Sequence, residues 1–357
     1  MRQITITPSI EALAEKYQKM LTGKLPIATF PMGITMNLPQ RVEDKRVLFA
    51  DDSYPVKEEY KVGEWHVVKN LRDRNKYVAF LRFLKERLEN GLLIVHPTKI
   101  KDEIDDFTSL LSPEEMARKM KLGNRRNAVY KTFTEIVQEI LGYNDIRKSV
   151  FPQFVKQLGF RTCVYCNSQF AVTDEDDRGY YQLDHWKPES VYPYLSVCFF
   201  NLQPSCASCN MHKRDDKREY HSIWNESKTE SNELYRFTIP NASLARYIMT
   251  HHTDELAIHM DAVKNTTHLA LLREKLHIDS LYDQFTDVAE EVVWKRMAFD
   301  QGYLKALSNS SALKMLRQSD VNRFILGTYD NPEDIHKRPL AKLTQDVAKQ
   351  LGIIGII

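Results

Sequence analysis

Long apolar runs are missing from this 357-residue chain. Its opening stretch, MRQITITPSIEALAEKYQKM, lacks the uninterrupted apolar core of a signal peptide. No later stretch reaches the roughly 18 apolar residues of a membrane span, so a cytoplasmic location is expected. Glycine is scarce, at 12 residues, and the chain carries no low-complexity tract or internal repeat, which argues against disorder and repeat architectures. An excess of one charge sign is also absent: 50 Lys and Arg against 48 Asp and Glu leave a net +2. Any attraction to phosphate must therefore come from local patches and not from the field of the whole molecule. Cysteine is sparse, with five residues in all. In a reducing compartment five thiols do not make a disulfide framework, and clustered ones point to metal or redox chemistry.

What is present is ordinary globular composition, 43% hydrophobic and 27% charged, in a chain longer than one typical domain. Helical spacing of Leu71, Val78, Leu81, Leu84 and Leu88 predicts a helix over Val67 to Glu89, closed by Asn90-Gly91. Ser112-Pro113-Glu114-Glu115 reads as an N-cap followed by Pro at the first helical position. A further helix is expected over Ala128 to Leu141. Residues 23 to 66 give no sustained period and suggest only short strands and turns. After the middle of the chain, Leu244 to His259, Thr266 to Leu276, Leu281 to Phe299 and Ala341 to Leu351 again read as helices. The expected fold class is α+β and predominantly helical. Three regions are expected: a mostly helical one over 1–150 that contacts a partner or nucleic acid, a site-bearing module over 151–225, and a helical one over 226–357.

Within the module, Cys163-Val-Tyr-Cys166 and Cys206-Ala-Ser-Cys209 form two C-x2-C pairs, each with the spacing that offers two thiolates to one tetrahedral ion. Structural Zn²⁺ is the expected occupant. Iron also accepts four thiolates, and a thioredoxin-type redox pair is the rival for either motif alone. A four-thiolate site has no open coordination position, so chemistry must lie elsewhere. Cys198, in the apolar run Leu195 to Phe200, reads as a small buried hydrophobe.

Between and after the pairs stand Leu183-Asp184-His185-Trp186-Lys187-Pro188-Glu189-Ser190, then Asn201-Leu202, and then Asn210-Met211-His212-Lys213. The ordered pattern C-x2-C, Asp-His-x-x-Pro-x-Ser, Asn-Leu, C-x2-C-Asn-x-x-Lys resembles the HNH (ββα-metal) endonucleases over about 50 residues. The resemblance implies a small zinc-stapled ββα-metal module in which Asp-His ends the first strand, the middle Asn stands on or after the second, and a helix packs across both. Carried over by position, His185 would be the general base and Asn201 would fix the loop and the imidazole. Asp184 and Asn210 would bind a catalytic Mg²⁺ or Mn²⁺. Lys213 would face a phosphate, with Arg214 and Lys187 as further nucleic-acid contacts. Asn210 replaces the histidine usual at the last motif position, and His212 is an alternative ligand there.

The residue types suit that chemistry. A neutral imidazole can deprotonate water near pH 7, and one carboxylate with one amide oxygen make a hard, oxygen-only ion site. The resemblance implies nucleic acid, DNA first, as substrate. A catalytically silent zinc module that binds nucleic acid or a protein remains the alternative. The helical tail from Asn265 onward is similar in layout to HNH nucleases of bacterial anti-phage systems of the Septu type, which implies an ATPase partner and antiviral defence. Arg118, Lys119, Lys121, Arg125, Arg126 and Lys131, and His336-Lys337-Arg338, are candidate backbone contacts or plain solvated surface. Of the aromatic cluster Tyr180, Tyr181, Trp186, Tyr192, Tyr194, Phe199 and Phe200, most should be core, with Trp186 and Tyr192 partly exposed.

Overall fold

The computed structural model describes residues 2–27, 36–51, 56–62, 65–70, 74–122, 129–214, 222–226, 232–263, 266–300, 302–303, 306 and 317–353. The fold is α+β and predominantly helical, with small sheets. Arg125 and Arg126 lie outside the described residues.

In the N-terminal part, the helix Arg74–Glu89 buries Tyr77, Phe80, Leu81, Leu84 and Leu88, one apolar stripe at helical spacing, and packs against Leu38–Ala50. The expected helix start at Val67 is wrong, because Trp65–Asn70 is a strand. It pairs with Val56–Val62, which pairs in turn with Lys119–Leu122 and that with Val129–Thr132, giving a four-stranded antiparallel sheet. The pairing of Val56–Val62 with a strand more than 60 residues further on was not visible in local periodicity. Part of the expected basic patch therefore lies on a hairpin, where Lys121 sits over the Tyr130 ring at 5.4 Å. Ser112 caps Pro113–Met116 through a reciprocal capping box with Glu115, as its sequence suggests. The same device, Thr132 with Glu135, starts Phe133–Leu141, and Gly142 in the left-handed region (φ 62°) ends it. That start is later than expected because the preceding residues are strand.

Tyr143–Ser149 and Phe151–Leu158 then lead into the module. Gln182–His185 pairs antiparallel with Leu202–Ser205, His185 lying opposite Leu202. The helix Ala207–Lys213 packs on the first of these strands. Asn201 occupies a 3-10 turn, Phe199–Asn201, immediately before the second strand and not on or after it.

In the C-terminal part the expected Leu244–His259 helix is Asn241–Thr250 followed by a 3-10 turn and the strand His259–Ala262, which pairs with Tyr235–Thr238. Thr266–Leu276 matches its expected bounds, and Leu281–Phe299 resolves into Ile278–Tyr282 and Thr286–Ala298. Ala341–Gln350 packs on Tyr235–Thr238 and Thr286–Ala298. Its buried Lys342 pairs with Asp346 at 2.6 Å and Glu233 at 2.8 Å, and Asp346 accepts from the Phe237 amide.

One hydrophobic core runs from Ile6 to Ile353 and draws on all three expected regions. Tyr17 of the helix Pro8–Leu21 packs edge-on against Phe151 and Phe154 and meets Phe199 of the module, while its hydroxyl donates to the Val197 carbonyl at 2.8 Å. Tyr194, Phe199 and Phe200 are buried as expected, but Tyr180 is 62% exposed. His336 is also buried, so it is not a surface contact for nucleic acid. Among the described residues no helix is long and apolar enough to cross a membrane.

Candidate metal centre and adjoining pocket

The four cysteines of the paired motifs converge. Cys163 and Cys166 lie in a turn that follows a bridge between Thr162 and Phe170. Cys206 caps the helix Ala207–Lys213, its Sγ accepting from the Cys209 amide, so the second pair spans the first helical turn. All four sulfurs lie within 4.8 Å of one another and are buried, with Cys166 and Cys206 at 4.0 Å. A tetrahedral ion with Zn–S near 2.3 Å needs sulfurs about 3.8 Å apart, so this cluster fits zinc after a small contraction. The thiols themselves argue for a cation. Hydrogen bonds from neighbouring thiols pull Cys166 and Cys206 down, whereas burial pushes Cys163 up, so the four cannot ionise side by side on their own. Cys198 stands apart, its thiol raised to about 12 by burial, and behaves as a small hydrophobe.

The knuckle is held from outside the module. Asn167 follows Cys166 with φ 54°, a left-handed turn that Asn tolerates better than most residues. Its side-chain amide donates to Thr162 Oγ1 and to the Ile335 carbonyl, and its Oδ1 accepts from the Lys342 amide. The Tyr282 hydroxyl donates to the Cys166 carbonyl at 2.6 Å.

Beside this centre is a cavity of about 500 Å³. Asp184, His185 and Glu189 line it from the strand and the loop that follows, Asn210 and Arg214 from the module helix, and Tyr143 and Arg147 from Tyr143–Ser149. A second cavity of about 500 Å³ shares Tyr143, Arg147 and Glu189, so the two form one groove.

His185 ends its strand, and its ring is 8% exposed. Nε2 lies 2.8 Å from the Ser196 carbonyl. A carbonyl only accepts, so Nε2 carries the proton of the neutral ring and Nδ1 keeps its lone pair. Burial lowers the imidazole pKa, with the nearby Glu189 carboxylate, 3.7 Å from Nε2, acting in the opposite direction. The Tyr143 ring covers His185 at 4.6 Å and its hydroxyl donates to the Leu183 carbonyl.

Asn201, fully buried, accepts from the Lys187 amide at 2.7 Å and donates to the carbonyls of Lys187 and Leu195. It closes the loop that carries Ser196. Asn201 thus ties the Lys187 and Leu195 backbone together next to Ser196, the acceptor of His185, and does not line the pocket.

Asp184 and Lys213 meet inside. The Lys213 ammonium, 2% exposed, lies 2.9 Å from Asp184 Oδ2 and 3.1 Å from Oδ1, and donates to the His185 carbonyl at 2.6 Å. Tyr165, whose burial raises its phenol pKa, donates to Asp184 Oδ2. The expected phosphate-facing lysine is therefore a buried counter-ion, because the helix turns Lys213 inward onto the strand. Arg214 is exposed and lines the pocket, whereas Lys187 lies over the Trp186 ring at 4.8 Å, away from it. The alternative ligand His212 faces Ser208 and His277, also away from the pocket. The sequence reading missed Tyr143, Arg147 and Glu189; Glu189, an acid four residues past His185, had a visible signal.

The curated Septu protein PtuB of Bacillus thuringiensis is 41% identical to this chain over 59 residues, covering 16% of this chain and 21% of that protein. The similarity is thus confined to about a fifth of that protein's length. No family model and no solved structure matches the chain.

Proposed function

We propose that the chain is a metal-dependent endonuclease of the HNH class that hydrolyses phosphodiester bonds in DNA. The observation that carries this reading is His185: a buried imidazole at a pocket wall, tethered through Nε2 to the Ser196 carbonyl, with Nδ1 left as the base. The lowered pKa keeps the ring neutral at pH 7, as a base for water must be. Asn201 keeps the Ser196 loop, and hence the ring, in one orientation. Arg147 and Arg214, from two separate helical segments, offer guanidinium groups to phosphate oxygens.

Asp184 and Asn210 would hold the divalent ion. Their oxygens suit Mg²⁺ or Mn²⁺, although Lys213 and Tyr165 already occupy part of the Asp184 carboxylate. When bound, such an ion would stabilise the charge that builds on the phosphate and the departing oxygen. The engagement of Asp184 is also the observation that favours a second reading, a silent zinc module that binds nucleic acid or protein.

Plasmid nicking in Mg²⁺ separates the two. His185→Ala and His185→Gln are expected to lose about a hundredfold or more in rate with the melting transition retained. Equal rates in wild type and both variants would eliminate the nuclease. The local identity to a Septu protein, with the similar layout of the helical tail, supports a place in anti-phage defence beside an ATPase partner. Co-purification of an ATPase encoded by a neighbouring gene tests that role.

A further inference from the structure

We infer that Glu189, and not Asp184 alone, supplies the charge that draws the divalent ion into the His185 pocket, as an additional oxygen ligand beside Asn210; the inference rests on the nuclease reading of the same site. It follows from the charges on the pocket wall. Asp184 has both oxygens within 3.1 Å of the Lys213 ammonium and accepts a further hydrogen bond from Tyr165, so its negative charge is already matched by a buried cation. Asn210 is neutral. The other charged groups lining this cavity are Arg147 and Arg214, which repel a cation, and Glu189. With the Asp184–Lys213 pair counted as neutral, Glu189 is the one carboxylate on this wall not already matched by a buried ammonium, and it offsets one of the two arginines, so it is the group an entering divalent ion would meet.

Glu189 is also prepared for the task. Among the described residues its carboxylate accepts no hydrogen bond and makes no ion pair with either arginine; its nearest titratable neighbour is the neutral His185 ring, at 3.7 Å. The side chain is 36% exposed and lines both halves of the groove, so its oxygens reach solvent and the cavity together. Its own backbone is fixed, since the Glu189 carbonyl accepts from Gln138 Nε2 at 3.3 Å. The result is a tethered main chain whose carboxylate has His185 beside it and the cavity in front of it. His185 supplies an independent indication of a ligand: it is more than nine-tenths buried, lines the cavity, and makes its hydrogen bond through Nε2, so Nδ1 is left for a group that enters.

Calorimetric titration of the full, zinc-loaded chain with Mn²⁺ alone tests the inference. Glu189→Gln should weaken Mn²⁺ binding by about tenfold or more, Glu189→Asp should restore part of it, and all three proteins should melt together, because no hydrogen bond to the carboxylate is lost. Glu139→Gln, on the wall of the adjoining cavity and paired with Lys131, is the control and should bind as wild type. Mn²⁺ affinity within twofold of wild type in Glu189→Gln overturns the proposal, as does a wild-type chain that takes up no Mn²⁺ beyond its zinc. Nicking by wild type with unchanged Mn²⁺ binding in Glu189→Gln would sink this inference and leave the nuclease standing. Glu189-dependent binding without nucleic-acid cleavage would do the reverse.

Discussion

The Asp184–Lys213 pair shows how one buried contact changes the meaning of a motif residue. A lysine three positions past Asn210 suggests a surface cation for phosphate, and the structure instead buries it against the strand that carries Asp184. The two readings give opposite outcomes for Lys213→Met. Loss of a phosphate contact would weaken DNA binding and leave stability alone. Loss of a buried counter-ion leaves Asp184 charged in a nearly dry site, which costs about 3–5 kcal/mol and should appear as a large fall in melting temperature. A variant that melts with wild type would contradict the burial argument. Asp184→Asn combined with Lys213→Met should recover much of the loss, since neither charge then stands alone.

At the scale of elements, the two cysteine knuckles bring together a turn and a helix that hydrogen bonding alone would hold poorly. The chain between Val172 and Tyr180 offers one two-residue strand pair, and the pairing of Gln182–His185 with Leu202–Ser205 is only four residues long. An isolated hairpin of that size is marginal in water, so an ion held by the four cysteines would supply much of the module's order. Cys206→Ser leaves an N-cap oxygen on Ala207–Lys213, the helix that carries Asn210 and Lys213, because serine is itself a good cap, so the change removes the metal-binding thiolate and not the cap. It should release zinc, seen as a loss of about one equivalent by elemental analysis, and lower the melting temperature. Zinc content and melting equal to wild type would refute the structural role. The cysteines were legible in sequence because ligand spacing is local to each knuckle. The N-cap at Ser112 was legible for the same reason, its signal lying within four residues. Trp65–Asn70 was not, because a strand is defined by its partners: it pairs with Val56–Val62, a stretch with no sustained period that is itself held by Lys119–Leu122 more than 60 residues further on. Arg147 was equally hidden: nothing near it in sequence announces a site, and only the packing of Tyr143–Ser149 beside His185 brings it to the pocket.

On the scale of the whole molecule, the module appears in sequence as a separable piece, yet its supports come from both ends of the chain. Tyr17 donates to the Val197 carbonyl and packs on Phe199; Tyr282 donates to the Cys166 carbonyl; Asn167 binds the Ile335 carbonyl and the Lys342 amide. The strand Ile4–Thr5 pairs in parallel with Trp224–Asn225, and Trp224 in turn packs against Phe199 and Phe200. Residues 151–225 produced alone would expose Phe199 and Phe200, which pack on Tyr17 and His96 and are fully buried in the intact chain, and leave the carbonyls of Cys166 and Val197 without their donors. Exposure of those side chains alone forfeits about 1.5–3 kcal/mol each, more than a piece this small can recover from one ion and a four-residue hairpin. Titrated with Zn²⁺, the isolated piece should show thiolate binding but no cooperative melting transition, whereas the full chain should show both. A cooperative melt in the zinc-bound piece would mean that the module folds by itself and that the flanking helices only dress it.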